Sequence, residues 1–158
     1  MPSTVIGVIS DTHGLLRPAA VETLRGATHI IHAGDIGAPE ILETLAAIAP
    51  VTAVRGNIDK APWSQILPET EVLEIGGISI YVLHDLSNLG LNPKAAGLDV
   101  VVSGHSHVPK EETRDGVLYF NPGSAGPRRF KLPISMGKLI VESSTIRAEF
   151  IQLPFANS

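Results

Sequence analysis

Short apolar runs and segments of helical periodicity alternate along the first third of the chain. The apolar runs are rich in Val and Ile and have the length of buried strands. Pro18 suits the first turn of the first helix, and Gly26 suits its end. The pattern predicts strands over 4–10, 28–33 and 51–55 and helices over about 17–25 and 39–48. This β-α-β-α-β order is typical of a parallel sheet with right-handed crossovers.

In the second half, apolar segments are separated by turn signals and not by long helices. Gly76-Gly77 stands between two apolar runs and predicts a hairpin. Asp115-Gly116 and Ser143-Ser144 predict two further turns. The expected strands cover 71–75, 78–83, 99–103, 117–120, 136–142 and 145–153, with a short helix over 92–96. We therefore expect a mainly antiparallel second sheet that packs face to face on the first, with helices outside.

The composition is that of one globular domain of ordinary size. The chain has 158 residues, of which 44% are hydrophobic and 18% are charged, and this balance excludes a disordered protein. We expect a single domain over 1–158 with a frayed tail at 154–158. No basic region precedes the first apolar run, and no apolar stretch approaches the roughly 20 residues that span a bilayer. A cytoplasmic protein without a membrane partner is therefore expected.

The formal net charge of −4 and the absence of cysteine limit the kinds of binding partner and metal site that the chain can have. An acidic chain with 4% aromatic residues has no general attraction for nucleic acid, so we expect no nucleic-acid partner. A homo-oligomer is left open. Without cysteine the chain forms neither disulfides nor thiolate metal sites, which fits a reducing compartment.

Seven side chains with metal-binding atoms follow apolar runs at five places in the chain. They are Asp11, His13, Asp35, Asn57, His84, His105 and His107. Taken singly, each is also an ordinary turn former or a structural histidine, and we assign His29 and His32, which lie within a strand, to structure. Residues just past the carboxyl ends of strands converge on one crevice in open α/β sheets. The joint pattern therefore predicts a shared metal site.

The order of these residues resembles that of the calcineurin-like metallophosphoesterases, in particular their small phosphodiesterase branch from bacteria and archaea. The motifs are D-T-H-G at 11–14, G-D at 34–35, G-N at 56–57, His84 alone, G-H-S-H at 104–107 and N-P-G-S at 121–124. The resemblance implies an α/β fold, a four-layer αββα sandwich of two mixed sheets, with two metals at the carboxyl ends of the strands. It also implies the ligands, with Asp11, His13 and His107 on the first metal, Asn57, His84 and His105 on the second, and Asp35 bridging them.

The resemblance further implies a metal-dependent phosphodiesterase that hydrolyses a small phosphodiester or nucleotide-like substrate. A hydroxide shared by the two metals would attack phosphorus, with Asp35, Asp59 and His105 as the candidate catalytic residues. The mixture of carboxylate, amide and imidazole donors suits Mn, which we expect first, and also Ni, Fe or Zn. Two divalent ions outweigh the charges of Asp11 and Asp35, so the site attracts phosphate although the protein is acidic.

A different class of function is a protein-binding scaffold that retains the fold. The family contains such a protein in the sorting subunit of the retromer coat. Loss of ligands would be the sequence feature of a scaffold, and this chain has lost none. The complete set favours the enzyme.

Three positions next to the ligands need separate interpretation. Ile58 stands where many members have a histidine that assists the leaving group, which predicts substrates with good leaving groups. Asp59 matches an acidic position of the family and either orients a ligand or caps a turn. Asp85 follows His84 where relatives commonly have glycine, and it either disturbs the second metal or faces water.

The segment after the last candidate ligand carries two further features. We expect the N-P-G-S loop at 121–124 to brace the G-H-S-H loop. Arg128 and Arg129 follow it and could contact phosphate, although paired arginines more often form a solvated face.

Overall fold

The computed structural model describes residues 3–154, and two five-stranded sheets make up most of that range. The predicted frayed tail at 154–158 falls almost entirely outside it. No helix among the described residues is long and apolar enough to cross a membrane. The strands are β1 (Thr4–Ile9), β2 (His29–His32), β3 (Val51–Ala53), β4 (Thr70–Ile75), β5 (Ile78–Leu83), β6 (Val100–Val102), β7 (Lys110–Arg114), β8 (Val117–Asn121), β9 (Ser135–Glu142) and β10 (Thr145–Gln152). The helices are α1 (Pro18–Leu24) and α2 (Pro39–Ala46), with 3-10 helices at Pro62–Ile66 and Leu86–Asn88.

Both sheets are mixed. The first has the order β10-β9-β1-β2-β3, with β1, β2 and β3 parallel and β9 and β10 antiparallel to their neighbours. The second has the order β4-β5-β6-β8-β7, with β5, β6 and β8 parallel and the two outer strands antiparallel. The predicted sandwich of two mixed sheets is confirmed.

The alternation of side chains along β1 shows how the layers are built. Ile6 and Val8 point into the core between the two sheets, and Ile9 packs on the other face with the helices. Gly7 lies on that helical face, where an added Cβ would come within 2.2 Å of Leu24 Cδ2 in α1. The absence of a side chain at Gly7 therefore lets α1 approach the sheet closely.

The outer face of the second sheet has a thinner cover than the first. Its apolar cluster is formed by Leu83, Val101 and Val117, with Leu86 and Leu89 packed against them from the 3-10 helix at Leu86–Asn88 and the residue after it. This short helix and its neighbouring turns form the fourth layer. The helix predicted over 92–96 is wrong, because Pro93 and Gly97 bracket too short a segment and residues 93–97 form turns.

The predicted hairpin at Gly76-Gly77 is confirmed, and its strands β4 and β5 pair from Thr70 with Leu83 to Ile75 with Ile78. Gly76 and Gly77 have φ values of 60° and 81°, as a two-residue hairpin turn with both central residues in the left-handed region requires.

The expectation that the second half forms one mainly antiparallel sheet is wrong in two respects. Three central strands of the second sheet run parallel, and the hairpin of β9 and β10 joins the first sheet beside β1. Apolar periodicity identifies a strand but carries no information on its direction or neighbour. Neither connection between these parallel strands, both of which lie within the described residues, contains an α-helix: turns and a 3-10 helix join β5 to β6, and the strand β7 lies between β6 and β8.

Loops that follow strands of both sheets meet at one end of the sandwich. Asp11 N donates to Gly34 O over 3.0 Å, and His13 N donates to Asp35 O over 2.9 Å, which joins the loops after β1 and β2. Gly104 N donates to the carbonyl of His84 over 2.9 Å and joins the loops after β5 and β6. The candidate ligands lie in these loops.

Candidate metal centre

Two groups of metal-binding atoms form at this end of the sandwich. One consists of Asp11, His13 and His107, and the other of Asp11, Asp35 and His84. Within each group the ligand atoms all lie within 4.8 Å of one another. The first group coincides with the set that the family resemblance implies for the first metal. The two groups share Asp11, so they are adjacent.

Four atoms in these groups are buried and have no hydrogen-bond partner within the described part of the chain. They are Asp11 Oδ1, His13 Nε2, His84 Nε2 and His107 Nδ1. Asp11 Oδ1 lies 3.7 and 3.9 Å from the unpartnered Nε2 atoms of His13 and His84, and 3.4 Å from His107 Nε2, the other nitrogen of that ring. A buried polar atom without a partner costs about 1–3 kcal/mol. Carboxylate and imidazole atoms left in this way fit a divalent transition metal, which would satisfy them together.

His84 is oriented by a hydrogen bond on the far side of its ring. Its Nδ1 lies 2.7 Å from the carbonyl oxygen of Ala33, which can only accept, so Nδ1 carries the proton. Nε2, on the other side of the ring, lies 3.2 Å from Asp35 Oδ2. A backbone carbonyl on one ring nitrogen is the usual arrangement of a metal-ligating histidine.

Asp35 and His84 shift each other's pKa. Burial raises the pKa of Asp35, but His84, the backbone N–H of Ile58 and His13 outweigh it and lower that pKa to about 2. Burial lowers the pKa of His84, but Asp35 and Asp11 outweigh it and raise that pKa above its ordinary value. Asp35 is therefore negatively charged at neutral pH, as a carboxylate ligand of a metal must be.

Asp11 is held by two donors that leave one oxygen unoccupied. Its Oδ2 accepts from Ser10 Oγ over 2.7 Å and from the backbone N–H of His105 over 3.1 Å. Ser124 Oγ donates to the Asp11 carbonyl over 3.0 Å. These contacts fix the side chain with Oδ1 directed at the histidines. The motifs drew attention to Asp11 but not to Ser10, whose only sequence signal is its position next to a ligand.

His32, which we expected to be structural, connects the loops after β1 and β2. It is fully buried, and burial lowers its pKa to about 4, so the ring is neutral at pH 7. Thr12 Oγ1 donates to the carbonyl of Ile36 over 2.8 Å and lies 3.0 Å from His32 Nε2, which must therefore donate. His32 Nδ1 accepts from Gly34 N over 3.1 Å. The ring thus joins the loops after β1 and β2.

Five of the seven predicted ligands have a left-handed backbone conformation. A positive φ is uncommon for residues other than glycine and costs roughly 1–3 kcal/mol where the surroundings must enforce it. Such residues concentrate at functional sites. The values are 58° for Asp11, 47° for His13, 57° for Asp35, 69° for His105 and 65° for His107.

Asn57 and His105 are the two exposed members of the predicted ligand set, and His105 belongs to neither group. Asn57 is exposed and lines a cleft of about 520 Å³ together with His84. The His105 side chain is 44% exposed, and its Nε2 lies 3.7 Å from Asp85 Oδ2. Asp85 Oδ1 accepts from the N–H and hydroxyl of Ser87 and caps the 3-10 helix. Asp85 therefore turns towards His105, and the role of Asn57 and His105 on a second metal stays a prediction.

Asp59 holds two loops together, and its role as a catalytic residue stays a prediction. Its carboxylate is buried and accepts from the backbone N–H groups of Ile36, Gly37 and Gly56 over 2.9–3.1 Å. The contact with Gly56 is a local turn, and the other two cross to the loop after β2. Both alternatives for Asp59 therefore hold, because it caps a turn and also holds the loop that carries Asp35.

The predicted bracing of the G-H-S-H loop is confirmed. Asn121 Nδ2 donates to Gly104 O over 2.9 Å and to Ser106 Oγ over 3.1 Å, and Asn121 Oδ1 accepts from Gly123 N over 2.9 Å. Gly104 itself has no room for a side chain, since an added Cβ would lie 2.0 Å from Ser10 Oγ.

The comparisons with known proteins agree with this geometry. A model of the calcineurin-like phosphoesterase superfamily domain matches residues 5–144. The chain is 41% identical over 151 residues to a Methanocaldococcus jannaschii protein named "Probable metallophosphoesterase MJ0623", covering 87% of this chain and 76% of that one. It is 32% identical over 161 residues to phosphodiesterase YfcE of Escherichia coli strain K12, covering 82% and 84%. The chain belongs to the calcineurin-like phosphoesterase superfamily.

Solved structures share the fold over nearly the whole chain. A structure described as a novel archaeal phosphodiesterase has a TM-score of 0.78 at 26% identity, covering 94% of this chain and 100% of that one. Vps29 from Entamoeba histolytica in complex with Zn²⁺ has a TM-score of 0.73 at 24% identity, covering 94% and 99%. The likeness to Vps29 shows the fold alone.

Proposed function

We propose that this protein is a metal-dependent phosphodiesterase that hydrolyses small phosphodiesters with two divalent cations, Mn²⁺ foremost. One observation carries the proposal, namely the convergence of buried donor atoms without partners from Asp11, His13, His84 and His107. A site built only for structure pairs such atoms within the protein. Membership of a phosphoesterase superfamily supplies the reaction class.

The chain contributes the charge and orientation of the donors. Asp11, His13, Asp35, His84 and His107 would hold the cations, and Asn57 and His105 would complete the second set. Bound divalent cations lower the pKa of water and neutralise phosphoryl oxygens. The ionised carboxylates of Asp11 and Asp35 balance only part of that charge, so an anionic substrate is attracted.

Ile58, which follows the predicted ligand Asn57, gives no proton. Ile58 is 47% exposed beside Asn57, and its backbone N–H donates to Asp35 Oδ1 over 3.1 Å. An isoleucine side chain cannot protonate a departing alkoxide. We therefore assign the enzyme to substrates whose leaving group departs without an acid, such as aryl phosphodiesters or phosphoanhydrides.

A substitution at position 58 tests the leaving-group argument. Ile58→His should raise kcat/KM for an alkyl phosphodiester at least about tenfold more than for bis-p-nitrophenyl phosphate, since general acid catalysis typically contributes 10²–10⁴-fold where it is needed. Ile58→Gln is the matched control, because it is polar but does not transfer a proton at neutral pH. An equal effect of Ile58→His on both substrates would refute the argument.

The function itself is tested on the purified protein with added Mn²⁺. We expect metal-dependent hydrolysis of bis-p-nitrophenyl phosphate that stops on chelation and returns with Mn²⁺. A protein that retains no metal and hydrolyses no phosphoester with Mn²⁺, Ni²⁺, Fe²⁺ or Zn²⁺ would instead be the non-catalytic scaffold. The shared fold with Vps29 is compatible with that outcome but does not argue for it.

A further inference from the structure

Residues 125–133, which we call the basic loop, project from the metal centre. The ends of the basic loop are held together by a bridge between Ser124 and Ile134, in which Ser135 N donates to Ser124 O over 2.8 Å. Ser124 also donates its hydroxyl to the Asp11 carbonyl. The base of the loop is therefore attached directly to the segment that carries the first candidate ligand.

Two close contacts fix the start of the basic loop against the centre. An added Cβ at Gly126 would lie 2.4 Å from Asp11 O and 2.3 Å from Thr12 O, so the loop backbone touches the ligand segment. The buried guanidinium of Arg17 donates to the carbonyls of Ala125 and Gly126 over 3.2 and 3.0 Å. This end of the loop cannot move away without breaking those bonds.

The charge of the basic loop is opposite to that of the protein. No aspartate or glutamate occurs from Gly116 to Val141, and this stretch carries Arg128, Arg129, Lys131 and Lys138 in a chain of net charge −4. A local concentration of basic groups beside a phosphoesterase centre attracts anions to that place.

Arg129 differs from the other arginines that lie at the surface. Arg25, Arg55, Arg114 and Arg147 each lie near a glutamate, and Arg128 Nε donates to Leu132 O over 3.4 Å. Within residues 3–154, the Arg129 guanidinium has neither a hydrogen bond nor an ion pair, and only its backbone carbonyl is engaged, by Leu132 N over 3.1 Å. Such a guanidinium is available to an anion from outside the chain.

Arg129 lies near the segment that carries the first candidate ligand. It follows Gly126, whose backbone contacts that of Asp11 and Thr12, by three residues, and three residues of chain span at most about 11 Å.

Phe130 presents an aromatic ring beside this charge. Its side chain is 88% exposed, and its φ of 55° is a genuine outlier for a bulky residue. The turn closed by the hydrogen bond from Leu132 to Arg129 places Phe130 at the tip of the loop. An exposed ring held on a strained backbone next to an unpaired guanidinium is suited to stack on a planar group that carries a phosphate.

We propose that the basic loop is the substrate-recognition element, in which Arg129 binds a phosphate oxygen and Phe130 stacks on the base of a nucleotide phosphodiester. The proposal rests on the proposed function and names its substrate class. A nucleotide joins an anion to a planar ring through one sugar, which matches an arginine and a phenylalanine on adjacent positions.

Two esters with the same leaving group test the proposal. We expect the Mn²⁺-loaded protein to prefer the p-nitrophenyl ester of thymidine 5′-monophosphate over methyl p-nitrophenyl phosphate in kcat/KM. Phe130→Ala should lower that ratio about fivefold or more, the effect of one lost base stack, and Phe130→Tyr should preserve it. Arg129→Gln should lower kcat/KM for both esters about tenfold or more, because both carry the phosphate that Arg129 binds. The controls Val72→Ala and Arg25→Gln alter an exposed apolar and an exposed basic residue elsewhere, and should leave both kcat/KM values unchanged. A ratio unaffected by Phe130→Ala would overturn the proposal.

A binding measurement separates failure of this proposal from failure of the proposed function. Calorimetric titration of the protein in the presence of Mn²⁺ with thymidine 5′-monophosphate, a product of the first ester, should show a Kd that rises about fivefold in Phe130→Ala. If the wild type hydrolyses neither ester, the proposed function fails, and this titration alone tests whether the basic loop binds a nucleotide. Equal Kd values in wild type and variant would refute nucleotide recognition. Binding of a 20-nucleotide thymidine strand over a hundredfold tighter than the mononucleotide would also overturn it, in favour of a nucleic-acid contact.

Discussion

Replacing Asp35 by asparagine is expected to reduce the bound metal from two ions to one and to lower phosphodiester hydrolysis by about 10²- to 10³-fold, a loss typical of removing one preorganised electrostatic group at a reacting centre. Asparagine preserves the shape of the side chain and an oxygen for the Ile58 N–H, but it removes the charge. Elemental analysis and the rate with bis-p-nitrophenyl phosphate under saturating Mn²⁺ measure the two effects.

Asp115→Asn is the matched control for this substitution. Asp115 lies in the turn between β7 and β8 with a φ of 51°, a conformation that asparagine tolerates, and it is far from the centre in the second sheet. Its metal content and rate should equal those of the wild type. Full turnover in the Asp35→Asn protein would contradict the assignment of Asp35 as the ligand common to both metals.

The largest expected effect on stability arises at Asp59. Asp59→Ala leaves the N–H groups of Ile36, Gly37 and Gly56 without their acceptor, and each such loss costs about 1–3 kcal/mol. We expect the free energy of unfolding to fall by about 3–4 kcal/mol, equivalent to a fall in Tm of about 10 °C. Thermal unfolding of the metal-free protein measures the change without interference from bound cations.

The behaviour of Asp59→Asn separates positioning from catalysis. Asparagine retains one acceptor oxygen, so its Tm should lie between those of wild type and Asp59→Ala. Its kcat on bis-p-nitrophenyl phosphate should fall in step with lost metal affinity, since Asp59 holds the loop of Asp35. A normal Tm with abolished turnover would mean that the Asp59 carboxylate takes part in the reaction.

The sequence identified the elements of the fold better than their arrangement. Apolar runs and the Gly76-Gly77 turn located the strands other than β7, because periodicity and turn chemistry are local properties. The strand β7, Lys110–Arg114, has no apolar residue and was not predicted. The position of β9 beside β1 and the parallel direction of β5, β6 and β8 are set by contacts between distant segments. No local pattern encodes them.

The same division applies to the site. Residue type and spacing identified Asp11, His13, Asp35, His84 and His107, which the structure brings together. The role of Asp59 was beyond the reach of the sequence, because its acceptor oxygens meet amides from loops more than 20 residues away. The approach of Asp85 to His105 likewise depends on how two loops face each other.

The most direct test of the metal centre is an anomalous difference map from crystals grown with Mn²⁺. Two peaks about 3.5–4 Å apart are expected, one against Asp11, His13 and His107 and the other against His84, with Asp35 in contact with both. A map with no peak among these side chains, at a Mn²⁺ concentration that supports hydrolysis, would contradict the account.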